Sequence, residues 1–237
     1  MSLSLSVLIP CFNEAATIRG VVRRVAAQKP MVKQIVVVND GSTDNTTSVL
    51  QDMKANWTEN DIVLNVIHMD KNHGKGAAVQ ASLEVASSPY VLVQDADLEL
   101  DPNDYKALAK PIEDHTAEVV FGNRFAKGYP INLRMPSRIA NWVVTTLSNA
   151  LFGMHLKDQA CGYKLMPLAL AKSLRIDSTG FEVCSEMTAK LGLRHSKIAS
   201  VPVRYEPRDA SQGKKIRWTD GWIAVYTLLK YRLRSAA

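Results

Sequence analysis

The chain has 237 residues, of which 46% are hydrophobic and 22% charged, and its formal net charge is +6. This composition excludes an intrinsically disordered protein and fits one large domain. The lack of an 18-residue apolar run and of a charged-then-apolar leader argues against a spanning helix or a secretory signal. Three scattered cysteines predict a reducing, cytoplasmic setting, with thiols that pack rather than bind metal or form disulfides.

Five short segments rich in Val, Ile or Leu recur in the first 122 residues and predict strands buried on both faces of a parallel sheet. These segments are 5–10, 35–39, 62–68, 90–94 and 118–122. The segments between them predict helices at 14–28, 44–54, 76–86 and 103–115. This alternation predicts right-handed crossovers, and therefore an α/β fold with an open, mostly parallel sheet flanked by helices.

Beyond residue 122 the alternation gives way to helices. The pattern predicts a helix at 137–152 capped by Ser137, another at 181–191, and a last one at 220–234. Segment 198–203 predicts a returning strand, and 207–217 a polar loop. Because no linker or repeat interrupts the chain, we expect a single domain over residues 1–237.

Charge divides unevenly between the two halves of the chain. Residues 1–120 hold 10 Lys and Arg against 16 Asp and Glu, whereas residues 121–237 hold 19 against 7. A basic half indicates an anionic partner such as nucleic acid, phosphates or a membrane surface, and the alternative is a solvated basic face.

Polar clusters directly follow each predicted strand. They read PCFNE at 10–14, NDGSTDNT at 39–46, NHGKGAA at 72–78, DADLE at 95–99 and GNRF at 122–125. In open α/β sheets, ligands bind outside the carboxyl ends of the strands, so these clusters predict one long cleft.

Two of these clusters contain residues suited to binding a nucleotide. Asp40 ends a strand, where its carboxylate could accept hydrogen bonds from a ribose or a base edge, and the alternative is a helix cap or a turn. Lys75 lies in a Gly-Lys-Gly turn at a helix start, which favours a phosphate.

The stretch VLVQDADLELDP at 91–102 places carboxylates at every second position after a buried strand. In an extended chain these carboxylates would lie about 6.6 Å apart, and two of them would repel by about 2.5 kcal/mol at an effective dielectric of 20. A hard divalent cation removes that repulsion, so Asp95 and Asp97 are predicted ligands of Mg²⁺ or Mn²⁺. The alternative is an acidic, solvent-facing turn closed by Asp101 and Pro102.

The segments VLIPCFNEAATI, VVVNDGSTDNT, HGKGAAVQ, VLVQDADLELDP, GNRF and DQACGYKLM resemble, in order, those of the family 2 glycosyltransferases. Within that family they resemble the dolichyl-phosphate mannosyltransferase branch, the polyprenyl-phosphate sugar transferases. The resemblance runs from about residue 5 to about residue 220. It implies a GT-A fold, a divalent metal, and inverting transfer of a hexose from a GDP- or UDP-linked sugar. It also implies that residues 1–122 bind the nucleotide sugar and residues 123–237 bind an acceptor.

The resemblance also implies site residues. Those placed around the nucleotide sugar are Pro10, Phe12, Glu14, Val38, Asp40, Lys75, Asp95, Ala96, Arg208 and Lys214. The metal set is Asp95, Asp97 and Glu99, where Glu99 replaces the Gln common in this branch. Asp97, Asp158 and Arg124 are the predicted catalytic residues, with Arg124 on a donor or acceptor phosphate and Asp158 in the acceptor region.

The acceptor expected from the resemblance is a polyprenyl-phosphate lipid, whose phosphate needs no general base. A sugar or protein hydroxyl would need one, for which Asp158 is the first candidate and Glu182 and Glu186 are reserves. The alternative for Glu182 and Glu186 is exposed helix charge.

A lipid acceptor would suit the basic half, where Arg134, Arg138, Lys214, Lys215 and Arg217 are candidate phosphate contacts. The last helix combines Trp222, Tyr226 and Tyr231 with Lys230, Arg232 and Arg234. That mixture favours a membrane interface, reached peripherally or through a membrane subunit, and the alternative is an ordinary amphipathic helix.

Two rival functions remain open at this point. One is transfer to a hydroxyl of a glycan, small molecule or protein, and the other is a non-catalytic sugar-nucleotide-binding subunit. A nucleic-acid binder is disfavoured, because the acidic rim would repel a phosphate backbone.

Overall fold

The computed structural model describes residues 3–131, 133, 135–208 and 218–234, and a seven-stranded sheet runs through them. Its strands are β1 (Leu5–Cys11), β2 (Val32–Asn39), β3 (Val63–His68), β4 (Tyr90–Val93), β5 (Val119–Asn123), β6 (Lys164–Pro167) and β7 (Ile198–Pro202). The strand order is β3-β2-β1-β4-β6-β5-β7, and neighbours are parallel except where β6 is involved. The predicted α/β fold with an open, mostly parallel sheet is confirmed.

Helices cover both faces of this sheet. They are α1 (Ile18–Ala26), α2 (Thr46–Ala55), α3 (Lys75–Val85), α4 (Tyr105–Glu113), α5 (Met135–Phe152), α6 (Leu168–Ser173), α7 (Val183–Leu193) and α8 (Trp218–Arg234). Helices α1, α2 and α4 bury their apolar sides in one core layer, while α3, α6 and α7 bury theirs in the other. Successive side chains of the central strands point alternately into these two core layers, which is why those strands lack a polar face.

The edge strand β3 departs from the prediction of burial on both faces. Val63 at its start is 58% exposed, and the other residues of the strand are partly buried or exposed. An edge strand has one neighbour, β2, and therefore receives less cover than the strands at the centre of the sheet.

Strand β6 and the short helix α6 were not predicted from the sequence. The strand has four residues, and it inserts antiparallel between β4 and β5, with Leu92 opposite Leu165 and Val120 opposite the same residue. Its first residue, Lys164, is 1% exposed and donates to the carbonyls of Gln159 and Cys161. A buried lysine in a four-residue strand gives no apolar alternation to detect.

The last part of the chain forms a helical layer of α5, α7 and α8. A small apolar cluster of Phe152, Ala189, Leu228 and Tyr231 holds the three helices together. Helix α5 begins at Met135, two residues before Ser137, so the prediction that Ser137 caps it is wrong. No helix within the described ranges is both long and apolar enough to span a membrane.

Several predicted residues lie outside the described part of the chain. These are Arg134, Lys214, Lys215 and Arg217, together with most of the predicted loop at 207–217. The division into a nucleotide-sugar part and an acceptor part stays a prediction.

Candidate active site

Strands β1 to β5 run in one direction, so the polar segments that follow them meet at one edge of the sheet. Contacts between these segments confirm that they meet. The hydroxyl of Thr17 donates to the carboxylate of Glu14 at 2.6 Å and to the backbone carbonyl of Ala96 at 3.0 Å. The segments after β1 and β4 are thereby joined, and Ala96 itself is buried.

An acidic cluster of Glu14, Asp97 and Glu99 surrounds Arg208 at this edge. The Arg208 guanidinium donates to Glu14 at 2.8 Å and lies 3.4 Å from Asp97. The backbone amide of Arg208 donates to Glu99 at 3.0 Å. Glu14 and Arg208, which the sequence assigned to the nucleotide sugar, are therefore brought together with two of the three predicted metal ligands.

The predicted metal set of Asp95, Asp97 and Glu99 is not assembled as a trio. Throughout the described residues, no three His, Cys, Asp or Glu side chains form a group that could hold a metal ion. Asp97 and Glu99 are both partly exposed, and they share a cluster that already holds the positive charge of Arg208. Two carboxylates plus substrate phosphates are a usual ligand set for Mg²⁺, so these residues fit such a metal.

Asp95 is paired with Lys75 instead. The Lys75 ammonium donates to Asp95 at 2.5 Å, and the Lys75 side chain is largely buried whereas Asp95 is partly exposed. Burial raises the pKa of the Asp95 carboxyl, but the charge and hydrogen bond of Lys75, together with the charges of Arg124 and Lys164, lower it below its ordinary value, so Asp95 stays ionised. Lys75 thus directs its charge at a carboxylate rather than at an open phosphate position.

The other side of Asp95 rests against the backbone of residue 162. A Cβ atom placed on Gly162 would lie only 2.1 Å from Oδ2 of Asp95. Glycine is therefore required here by close approach, and Asp95 is held between Lys75 and Gly162.

Arg124 and Asp158 form a second buried ion pair. The Arg124 guanidinium donates from Nε at 2.8 Å and from Nη2 at 2.9 Å to the two oxygens of Asp158, and its backbone amide donates at 3.1 Å. Burial lowers the pKa of Arg124, but the charge and the hydrogen bond of Asp158 together contribute most to a net rise above the ordinary value, so the guanidinium stays charged. The rings of Phe125 and Tyr205 lie 4.9 and 5.2 Å from the guanidinium carbon and fix its plane.

The segment after β2 is fixed by internal hydrogen bonds. Asp40 accepts the backbone amides of His73 at 2.7 Å and Gly74 at 2.8 Å, so it ties two loops together and caps no helix. Each oxygen retains acceptor capacity, and the predicted ribose or base contact stays a prediction. Pro10 and Phe12 are partly exposed, whereas Val38 is fully buried and its side chain cannot line an open pocket.

A family model described as glycosyl transferase family 2 matches residues 6–175. This chain belongs to glycosyl transferase family 2. A dodecaprenyl-phosphate galacturonate synthase from Rhizobium johnstonii is 28% identical over 74% of this chain and 51% of that protein. A dolichyl-phosphate beta-glucosyltransferase from Trichomonas vaginalis is 28% identical over 84% of this chain and 62% of that protein. This family 2 chain thus spans about half to three-fifths of these two relatives.

Solved structures share the fold. Glucosyl-3-phosphoglycerate synthase from Mycobacterium tuberculosis, in complex with Mn²⁺, UDP and phosphoglyceric acid, superposes with a TM-score of 0.71. It is 20% identical, with 97% of this chain and 78% of that chain covered. The predicted GT-A fold and the resemblance to the polyprenyl-phosphate branch of family 2 are confirmed, and so is the class of glycosyltransferase at the level of the family.

The reserve bases Glu182 and Glu186 are both engaged with the backbone that precedes α7. The side chain of Glu186 is fully buried in α7, where it accepts the backbone amides of Asp177 at 2.8 Å and Ser178 at 2.7 Å. Glu182 accepts the amide of Gly180 at 3.1 Å. Glu186 is therefore not exposed helix charge, and it is too enclosed to reach an acceptor hydroxyl.

Three residues of the family 2 site were not predicted from the sequence. Thr17 joins the segments after β1 and β4, and Tyr205 stacks on Arg124. Gln94 is buried behind Asp95, where its Oε1 accepts the hydroxyls of Tyr105 and Tyr163, both at 2.8 Å. Gln94 could have been noticed as a polar residue that ends an apolar strand, but Thr17 and Tyr205 carry no such signal.

Proposed function

We propose that this chain transfers a hexose from a GDP- or UDP-linked sugar to a polyprenyl-phosphate-type lipid, with inversion at the anomeric carbon and a divalent metal. The observation that carries the proposal is the cluster of Glu14, Asp97 and Glu99, which holds a cationic group where the parallel strands end. Two relatives have a polyprenyl phosphate in their names, which favours this acceptor class.

Asp97 and Glu99 are the residues that would hold the metal. Mn²⁺ and UDP occupy the Mycobacterium tuberculosis structure, which supports a divalent ion beside a nucleotide diphosphate in this fold. When bound, the metal supplies positive charge that stabilises the departing diphosphate. Asp95, through its pair with Lys75, would fix the backbone that leads into Asp97 instead of serving as a ligand.

Arg208 would exchange its acidic partners for the diphosphate. Its ion pairs with Glu14 and Asp97 already hold the guanidinium at the edge of the sheet. As the sugar leaves, negative charge grows on the diphosphate oxygens, and a guanidinium held nearby stabilises that charge. Arg124 is oriented by Asp158 and, among the described residues, makes no hydrogen bond through Nη1, so that nitrogen would donate to a phosphate of donor or acceptor.

The surroundings of two of the three candidate bases, Asp158 and Glu186, support the proposed acceptor class. Both oxygens of Asp158 accept from Arg124, and Glu186 is enclosed, so neither is placed to take a proton from a hydroxyl. A phosphate monoester is already a nucleophilic anion near neutral pH and needs no such base. We therefore assign Asp158 the role of positioning Arg124, and this favours a lipid phosphate over a hydroxyl acceptor.

Helices α5 and α8 present the face that would meet the membrane. Among the described side chains of these helices, the most exposed aromatic ones are Trp142, Trp222 and Tyr226, at 62%, 69% and 67% exposure. Arg232 and Arg234 lie exposed at the end of α8. Aromatic rings beside basic side chains suit an anionic lipid–water interface, which favours peripheral contact on the cytoplasmic side.

The activity test measures release of nucleoside diphosphate from a panel of sugar nucleotides with Mn²⁺, with and without a short-chain polyprenyl phosphate. We expect the lipid phosphate to stimulate release. Asp97→Asn and Glu99→Gln should each lower release by on the order of a hundredfold, because both remove a metal-binding oxygen. Asp114→Asn is the matched control, since Asp114 is an exposed carboxylate that pairs with Lys110 in the last turn of α4. Stimulation by a soluble hydroxyl acceptor, with none by the lipid, would contradict the proposed acceptor.

The membrane test is flotation with anionic vesicles. The double variant Trp222→Ser, Tyr226→Ser should lose flotation, whereas Val63→Ser, on the far edge strand, should keep it. Val63 is a matched control because it is 58% exposed, comparable with the two aromatic residues. Equal flotation of both variants would contradict the assignment of α8 to the interface.

A further inference from the structure

Glu186 satisfies an unusual number of donors for a carboxylate that faces no solvent. Besides the amides of Asp177 and Ser178, it accepts the Tyr231 hydroxyl at 2.7 Å and pairs with Lys190 at 2.5 Å. A buried carboxylate that binds two successive backbone amides fixes the path of that backbone. The segment fixed in this way is 177–180, which we name the α7 loop.

The α7 loop lies directly on the first turn of α3. The amide of Ala77 donates to the Thr179 carbonyl at 3.1 Å. A Cβ atom on Gly76 would lie 2.1 Å from the Ser178 carbonyl oxygen, and one on Gly74 would lie 2.4 Å from that of Thr179. Backbone approaches backbone at this point, so a shift of the loop must shift the start of the helix.

Lys75 lies between those two glycines, and its ammonium holds Asp95. A second contact of α7 reaches the other side of Asp95. Ser185 accepts from the side chain of Gln159 at 3.1 Å, and the segment that begins at Gln159 leads to Gly162, against which Asp95 rests. Helix α7 therefore stands behind both backbone segments that confine Asp95.

We infer that Glu186 is a positioning residue: it fixes the α7 loop, the loop fixes the first turn of α3, and that turn holds Lys75 on Asp95 at the entrance to the metal-binding segment. Tyr231 extends this connection to α8, the helix that carries the exposed aromatic face. As far as turnover is concerned, the inference rests on the proposed function.

The test compares Glu186→Gln with wild type by amide hydrogen exchange and by sugar-nucleotide turnover. Glutamine keeps the size of the side chain but turns an NH2 donor towards an amide or hydroxyl donor, which leaves buried groups without an acceptor. We expect the amides of 177, 178 and 77 to exchange faster by on the order of tenfold, and those of β2 to be unchanged. We also expect kcat to fall by a similar factor with little change in KM for the donor.

Two further variants separate positioning from general destabilisation. Val25→Ala removes a fully buried side chain from α1, so it lowers stability without touching the α7 loop. When measured well below the unfolding temperature, Val25→Ala should show the wild-type rates of amide exchange at residue 77 and of sugar-nucleotide turnover. Tyr231→Phe removes one of the donors to Glu186 but leaves the two amides satisfied, and it should give a smaller change at the same positions.

The exchange data decide the inference even if no donor is turned over. Faster exchange at 177 and 178 without any change at 77 would show that the α7 loop does not hold α3, and would overturn the inference. Equal exchange at 77 in Val25→Ala and Glu186→Gln would overturn it too. A wild-type protein without activity on every sugar nucleotide would instead count against the proposed function alone.

Discussion

Replacing Gly162 by alanine gives a sharp test of how Asp95 is held. The new Cβ would lie 2.1 Å from Oδ2 and 2.8 Å from Cγ of Asp95, where an ordinary contact begins at 3.4 Å. The carboxylate must therefore move by roughly 1 Å, and neither the buried chain at 162 nor the Lys75 partner leaves room for it. A misplacement of about 1 Å costs on the order of a hundredfold in turnover.

The same overlap should lower stability. Overpacking of a filled site costs about 1–3 kcal/mol, which in a chain of this length corresponds to a fall in Tm of about 3–10 °C. Gly221→Ala in α8 is the matched control, because no heavy atom of the residues that the structure describes lies within 4 Å of its Cβ position. It should keep or slightly raise the Tm, since alanine favours a helix over glycine by about 1 kcal/mol.

Thermal unfolding and the release of nucleoside diphosphate are measured on both variants. If Gly162→Ala matched Gly221→Ala in Tm and turned over within about twofold of wild type, then Asp95 would not be confined as described.

Three further predictions concern the charged groups. Glu186 has its pKa lowered from 4.5 to about 2, so its contribution to stability is complete above pH 4.5 and is lost as the pH falls towards 2. In urea unfolding, the advantage of wild type over Glu186→Gln should shrink by about 2 kcal/mol between pH 5 and pH 3, and a constant difference would contradict this assignment. Asp158→Asn should cost about 3 kcal/mol in the same assay, because a largely buried guanidinium loses its carboxylate partner; a cost below about 1 kcal/mol would contradict the ion pair. Arg208→Met should tighten Mn²⁺ binding in calorimetry by about tenfold in Kd, since the acidic cluster loses its resident cation; unchanged Kd would place the metal elsewhere.

The central sheet could be predicted because the apolar composition of each strand is itself the signal of burial. Segments such as 35–39 are apolar throughout, and no neighbour is needed to recognise them. Strand β6 lacked this signal because it begins with a lysine. Lys164 can be buried there because its ammonium donates hydrogen bonds to the carbonyls of Gln159 and Cys161, which the sequence alone does not reveal. Its place between β4 and β5 depends on partners more than 40 residues away.

The sequence predicted which residues line the site, but it did not predict which of them form ion pairs with one another. The positions of Asp95, Asp97 and Arg208 followed from the motifs, yet Lys75 and Arg208 compete with any metal for those carboxylates. Glu186 shows the limit most clearly. Its spacing from Glu182 predicted exposed charge or a reserve base, whereas its burial comes from Tyr231, 45 residues further along the chain.

The reversed strand β6 also determines the order in which the molecule can be completed during synthesis. Until residues 164–167 have left the ribosome, β4 and β5 have no shared neighbour, and the sheet is open at its centre rather than at its rim. A chimera that exchanges everything after β5 would remove that middle strand along with the segments predicted to bind the acceptor. Hybrids with a new acceptor preference should therefore retain 164–167 from the same parent as β4 and β5.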